Sequence, residues 1–220
     1  MLRSFAVAAL CALLLPLAEP AQAEVTKSDE NGFVTRDTAV VKASPKEVWL
    51  ALISPAKWWN SAHTWSGDAA NLTLMPKAGG CFCERIPEVP DPVRATLEGS
   101  AEHMRVVQAY PERALRMRGS LGPLQSEPVS GVLTISISEA EQGTRIVWEY
   151  VVGGYMRYEV GKIAPPVDAV MSEQLARLAK LLGPVDAPGE AAPSPPAAAP
   201  APEPAAEPSL EQAIDQLADN

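Results

Sequence analysis

The chain has 220 residues, 22 of them proline, is 47% hydrophobic but only 5% aromatic, and carries a formal net charge of −9. The charge is uneven: without residues 1–23, and without the seven acidic and no basic residues from Gly183 onward, 17 basic side chains face 19 acidic ones. A nearly neutral body with no basic stripe argues against nucleic-acid binding and against docking on anionic membranes.

In chain order, residues 1–23 combine Arg3, an apolar run over 5–17 and an Ala21-Gln22-Ala23 site. They read as a secretory signal peptide cut before Glu24, which predicts export to the periplasm or the medium. The apolar run is shorter than the ~20 residues a membrane span needs, and no later segment qualifies, so no transmembrane segment is expected in the mature chain.

Residues 33–42 (FVTRDTAVVK) read as a first strand. Ser44-Pro45-Lys46-Glu47 is a capping box with proline at the first helical position, followed by Val48, Trp49 and Leu52 as the buried face of a short helix. Ser54-Pro55 repeats the signal, predicting a second short helix through Trp58 and Trp59. Strands follow at 72–75, 81–86, 101–110, 114–119, 132–138 and 144–152, separated by Gly- and Pro-rich turns. On the last, Ile146, Trp148 and Tyr150 share one face.

Residues 165–182 carry the longest apolar stripe: Val167, Val170, Met171, Leu175, Leu178 and Leu182 recur at helical spacing between Pro166 and Gly183-Pro184. From Gly183 to Pro208 there are nine prolines among alanines and acidic residues, a composition predicting a disordered linker over 183–208. Residues 209–220 could form a short amphipathic helix with a docking face of Leu210, Ile214 and Leu217, able to engage a protein partner. The single domain, 24–182, therefore reads as α+β, with about six or seven antiparallel strands, two short helices after strand one and a long C-terminal helix.

The order of elements, SPKEVWLAL after strand one, the tryptophan pair, AGGCFCE entering the third strand and the terminal helix resemble the START/Bet v 1-like (SRPBCC) superfamily, in its polyketide cyclase/dehydrase-like or Hsp90-ATPase-activator-homologue-like branches. The resemblance implies a helix-grip fold, a curved antiparallel sheet around the C-terminal helix with an apolar cavity between them. It spans lipid carriers, receptors, cyclases and co-chaperone domains, so it does not choose an activity.

Candidates for the cavity wall are Trp58, Trp59, Trp65, Trp148, Tyr150, Val167, Val170 and Met171, with His63, Glu84, His103, Arg116 and Arg118 as polar groups. An Arg–Glu pair inside the cavity could hold the polar end of an apolar ligand. Cys81 and Cys83, two apart on one strand face, could form a disulfide. The histidines and cysteines match no compact zinc spacing, and no hydrolase, nucleotide or metalloprotease motif occurs, so neither metal nor cofactor is expected. The expectation is an exported protein that binds a small hydrophobic or amphipathic molecule. The alternatives are a cyclase/dehydratase-like enzyme in the same cavity and a co-chaperone-like interaction module. Loops 60–68, 122–128 and 153–164 would gate the mouth.

Overall fold

A computed structural model of the chain describes residues 24–90, 93 and 96–185. The signal peptide at 1–23, the linker beyond 185 and the helix expected at 209–220 lie outside the described residues. The architecture is an α+β helix grip. Eight antiparallel strands, β1 (Glu24–Asp29), β2 (Gly32–Val41), β3 (Leu72–Leu74), β4 (Cys81–Ile86), β5 (Gly99–Tyr110), β6 (Ala114–Gly119), β7 (Val129–Ala140) and β8 (Gly143–Gly154), form one sheet in the order β1-β2-β8-β7-β6-β5-β4-β3. Two α-helices, α1 (Pro45–Leu52) and α2 (Val160–Leu182), complete it.

Beyond strand ends that shift by one to three residues, four features differ from the sequence reading, each for a local reason. Strand β1 is additional, and the two-residue turn Glu30-Asn31 joins it to β2, with Asp29 paired to Gly32. The second short helix is only a 3-10 turn, Pro55–Lys57, with Trp58 already beyond its end. Helix α2 starts five residues early and contains Pro165 and Pro166. Prolines there leave the carbonyls of Gly161 and Lys162 without their helical donors, and both residues are exposed, so water can take those carbonyls. Residues 183–185 are part of the fold, since Lys42 N–H bonds Gly183 O at 2.8 Å and Val185 N–H bonds Val40 O at 2.9 Å.

Strict alternation builds the core. Leu133, Ile135 and Ile137 of β7, Leu115 and Met117 of β6, and Ile146, Trp148, Tyr150 and Val152 of β8 all point inward. Helix α2 answers with Met171, Leu175, Leu178 and Ala179, all buried, and packs against β2 and β1. It is fixed there by the Gly183 left-handed cap (φ 74°) and the pairing of Pro184 with Val41. Gly131 makes room for Tyr150: a Cβ at 131 would lie 2.5 Å from the Tyr150 hydroxyl.

Leu178, with no exposed surface, is the anchor of the helix. Leu178→Ala should cost about 2–5 kcal/mol through lost burial and a residual cavity, read as a lower urea midpoint with an unchanged slope.

Candidate functional site

The site begins with a break in alternation. On β5, Met104 and Val106 point into the core, which should send residue 103 outward. The β4–β5 register instead pairs Phe82 with Met104 and Cys83 with Glu102, so His103 is the extra residue of a β-bulge. The bulge turns His103 inward beside Met104. Its Nε2 lies 2.8 Å from Oε2 of Glu84, whose own inward direction follows from β4 alternation with Phe82.

Glu84 is 1% exposed and His103 7%. The carboxylate also accepts the backbone N–H of Trp65 at 3.1 Å and of Ser66 at 2.5 Å. Burial alone would push Glu84 up, but the donors of Ser66, Trp65 and His103 outweigh it and hold the carboxyl below its ordinary value. The 64–66 loop is therefore pinned to a buried carboxylate by its own backbone.

A second chain of contacts reaches the other nitrogen of His103. Trp65 Nε1–H donates to Gln125 Oε1 at 2.7 Å, and Gln125 Nε2 donates to Glu102 O at 3.0 Å and lies 3.4 Å from His103 Nδ1. An indole N–H can only donate and a carbonyl can only accept, which fixes the orientation of the Gln125 amide. Nδ1 then faces a donor and presents its lone pair, leaving the proton on Nε2, toward Glu84.

Beside this pair lies a cavity of about 340 Å³ lined by Trp59, Ala62, His63, Thr64, Trp65, His103, Leu121, Gly122, Pro123, Ile163, Pro166, Val167, Val170 and Met171. Trp59, His103 and Met171 are buried and form its floor, while Ala62, His63, Trp65, Pro123 and Pro166 are exposed at its mouth. One wall is helix α2, and the others are the loop between α1 and β3, over 59–65, and the loop between β6 and β7, over 121–123. Among the sequence candidates, Trp59, Trp65, Val167, Val170, Met171, His63 and His103 thus stand around one space.

The remaining candidates stand elsewhere. Trp58 is core: its Nε1 donates to Ala51 O at 2.9 Å, and its ring packs 5.5 Å from Trp59 and 5.8 Å from Trp148. Trp148 and Tyr150 are 2% and 1% exposed and are not in the cavity lining. Burial raises the Tyr150 hydroxyl well above its ordinary value, and it points toward Gly119 O. Arg116 and Arg118 are exposed, because Leu115 and Met117 take the inner face of β6, so no Arg–Glu pair enters the cavity from them. Arg116 instead donates to Thr134 Oγ1 at 3.0 Å. The expected partner glutamates are otherwise engaged, Glu84 by His103, Glu102 by Arg105 and Glu149 by Arg36.

Cys81 and Cys83 form a disulfide on the outer face of β4, with Cα atoms 5.4 Å apart. Their sulfurs and Glu102 are the only cluster of three metal-type ligands among the described residues. Paired sulfurs offer no thiolate to an ion.

Sequence reasoning missed the residues that frame the mouth. Glu173 of α2 accepts from Asn60 Nδ2 at 2.5 Å and meets His63 Nε2 at 3.0 Å, and Gln174 Oε1 accepts Asn60 N–H at 2.8 Å. Beyond the 122–126 turn, the buried Glu127 carboxylate holds Arg157 through its backbone N–H at 2.7 Å and its Nε at 2.9 Å. Gly122–Ser126 was legible only as a Gly/Pro loop; it is a 3-10 turn that carries Gln125 to His103.

Both buried glutamates bear on acid stability. The hydrogen bonds from Arg157 hold Glu127 below its ordinary value, as the donors around Glu84 hold that carboxyl. A lowered folded-state value means the stabilisation is complete above the ordinary value of about 4.5 and is lost as pH falls through the lowered ones. Asp37 acts oppositely, because burial raises it despite a bond from Ser172. Thermal melting followed by circular dichroism should show the melting temperature falling below pH 4.5, with a shallower fall in Glu127→Gln.

No protein-family model and no curated protein sequence matches the chain. Among solved structures, it is similar to an uncharacterised protein from Rhizobium leguminosarum (18% identity, 68% of this chain and 93% of that one, TM-score 0.48). It is also similar to CalU16 from Micromonospora echinospora (16% identity, 73% and 80%, TM-score 0.41) and to the Aha1 dimer from Colwellia psychrerythraea (14% identity, 67% and 93%, TM-score 0.43).

Proposed function

We propose that the protein binds a compact, mainly apolar or amphipathic molecule in the cavity beside α2. The observation that carries this reading is the composition of the wall. Apolar side chains from one helix and two loops surround about 340 Å³, and His103 stands at the floor as the polar group. Small-molecule sites span roughly 300–1,000 Å³, so the volume suits a molecule of one or two rings or a short chain and is small for a two-chain lipid. Apolar burial at about 25 cal/mol per Å² would drive binding, and the His103 and Trp65 nitrogens would orient a polar end. Met171, whose flexible thioether adapts to irregular shapes, sits in the floor next to this space.

The reading includes the START/Bet v 1-like affinity and export. The helix-grip architecture supports the first. A disulfide between Cys81 and Cys83 supports the second, because such bonds persist in oxidising compartments. No helix among the described residues is long and apolar enough to cross a membrane.

A neutral fluorescent dye should bind the purified protein and be displaced by the molecule extracted from it and identified by mass spectrometry. Val170→Trp, which fills the cavity from α2, should weaken dye binding at least about tenfold, equivalent to ~1.4 kcal/mol, with little change in the melting temperature. Unchanged dye affinity in Val170→Trp, with no extractable ligand, would overturn the reading. Amino-terminal sequencing of the protein recovered from a periplasmic extract should begin at Glu24, and recovery only from the spheroplast fraction, with residues 1–23 still attached, would contradict export.

A further inference from the structure

We propose that His103 is a general base, and that the cavity carries out proton transfer on the molecule it holds. The inference rests on the binding reading above. Three observations lead to it. First, a β-bulge directs His103 toward the cavity against the alternation of its own strand, and bulges of this kind re-aim side chains at functional sites. Second, one nitrogen of this cavity-lining histidine, Nε2, is held by Glu84, a carboxylate whose position is over-determined by the backbone N–H groups of Trp65 and Ser66. Third, Nδ1 faces only the Gln125 amide, at 3.4 Å, and that amide makes its shorter bond to Glu102 O. A lone pair so weakly engaged is open to a substrate proton.

The arrangement is an imidazole with a carboxylate behind it and an apolar chamber beside it. Glu84 fixes the tautomer and stabilises the imidazolium that forms when Nδ1 takes a proton, the part a buried carboxylate plays behind a catalytic histidine. Phe82, with its ring 5.2 Å from the imidazole, and Trp59 beyond it hold the other side. The structure offers no activated serine, cysteine or lysine next to His103 among its hydrogen-bonded partners, so covalent catalysis is not part of the proposal.

The substrate class that fits is a compact molecule with a C–H acidified by an adjacent carbonyl or ring heteroatom. In the step, the C–H proton moves to Nδ1 and the bonding pair moves into the carbonyl to give an enolate. In an enolate conjugated with a neighbouring C=C bond, the proton then returns from Nδ1 to the distal carbon and the carbonyl re-forms as the double bond shifts, which isomerises the molecule. Atoms and electrons balance with no oxidant or cofactor. The Trp65 Nε1–H, released from Gln125 when substrate enters, can donate to the enolate oxygen. His103 is the catalytic residue, and Glu84 and Gln125 are positioning residues.

The probe is 5-nitrobenzisoxazole, a small planar molecule that a base opens in one step. The base takes the ring C–H proton, that bonding pair forms the nitrile, the N–O bond breaks, and a yellow phenolate is released. Binding is measured separately by quenching of tryptophan fluorescence, since Trp59 and Trp65 line the cavity. The wild type should turn the probe over, and His103→Gln should lower the rate about a hundredfold, the lower end of what a positioned general base contributes, while the quenching affinity stays within about twofold. Glu84→Gln should lower turnover about tenfold. In ¹⁵N spectra of histidine-labelled protein, the wild type should show His103 as the Nε2–H tautomer and Glu84→Gln a mixture, a change that a purely structural Glu84 would not produce. Quenching without His103-dependent turnover would overturn this inference and leave the binding reading standing. Failure of both the probe and the neutral dye to bind would overturn the two together. If Glu84→Gln does not fold, the His103→Gln comparison decides alone.

Discussion

The structure around the cavity depends on one buried carboxylate. Stripping a carboxylate of water costs several kcal/mol unless hydrogen bonds replace the lost solvent. Glu84 meets that condition with three donors drawn from two separate segments, the 64–66 loop and β5. Each donor in turn becomes fixed. The loop cannot lift away without leaving a buried charge uncompensated, and His103 cannot return to the outer face without emptying the bulge. Glu84 therefore holds loop, histidine and cavity floor in one geometry.

The cavity exists because the helix covers only part of the sheet. Packing of α2 on the sheet secures its C-terminal half, where Leu175 and Leu178 are buried and residues 183–185 pair with the end of β2. Toward its N-terminus the same helix presents Ile163, Pro166, Val167 and Val170 to open space. The proline pair belongs to that half, where lost backbone bonds can be made good by solvent rather than left unsatisfied in a core. The other side of the space is closed by loops held to the helix through side-chain hydrogen bonds, Asn60 to Glu173 and Gln174 and the Trp58 carbonyl to Arg177. A wall of packed helix on one side and hydrogen-bonded loop on the other can change its width more readily than a wall built of two packed elements.

What the sequence made legible follows from how far periodicity reaches. The apolar stripe of α2 and the alternation of β7 and β8 are repeating patterns, and repetition survives in the fold. Its Val167, Val170 and Met171 stand where a stripe running past the sheet's cover has to stand. Alternation alone could not separate Trp59 from Trp58, neighbours outside any regular element, nor tell that the inner face of β8 is packed by Trp148 and Tyr150 rather than open to a cavity. The bulge was invisible for a stricter reason: a single inserted residue reverses the face of His103 without altering composition or spacing. Arg116 and Arg118 were readable in principle, since Leu115 and Met117 on the same strand had already claimed the inner face. Gln125 left no signal, because its role depends on where a Gly/Pro loop folds back.

Two histidine–glutamate pairs stand at this cavity with nearly the same separation, 3.0 Å for His63 with Glu173 and 2.8 Å for His103 with Glu84. Chemistry alone would make them equivalent, and environment makes them different. The side chains of His63 and Glu173 are 33% and 40% exposed, so water and salt screen the pair and its worth is that of an ordinary surface interaction, about 0–1 kcal/mol. His103 and Glu84 sit where the effective dielectric constant is low, and a charge formed on the imidazole is felt by the carboxylate nearly unscreened. The mouth pair can tether a loop to α2 and little more. Only at the floor, where both side chains are buried, does the same pairing acquire the strength to hold a tautomer.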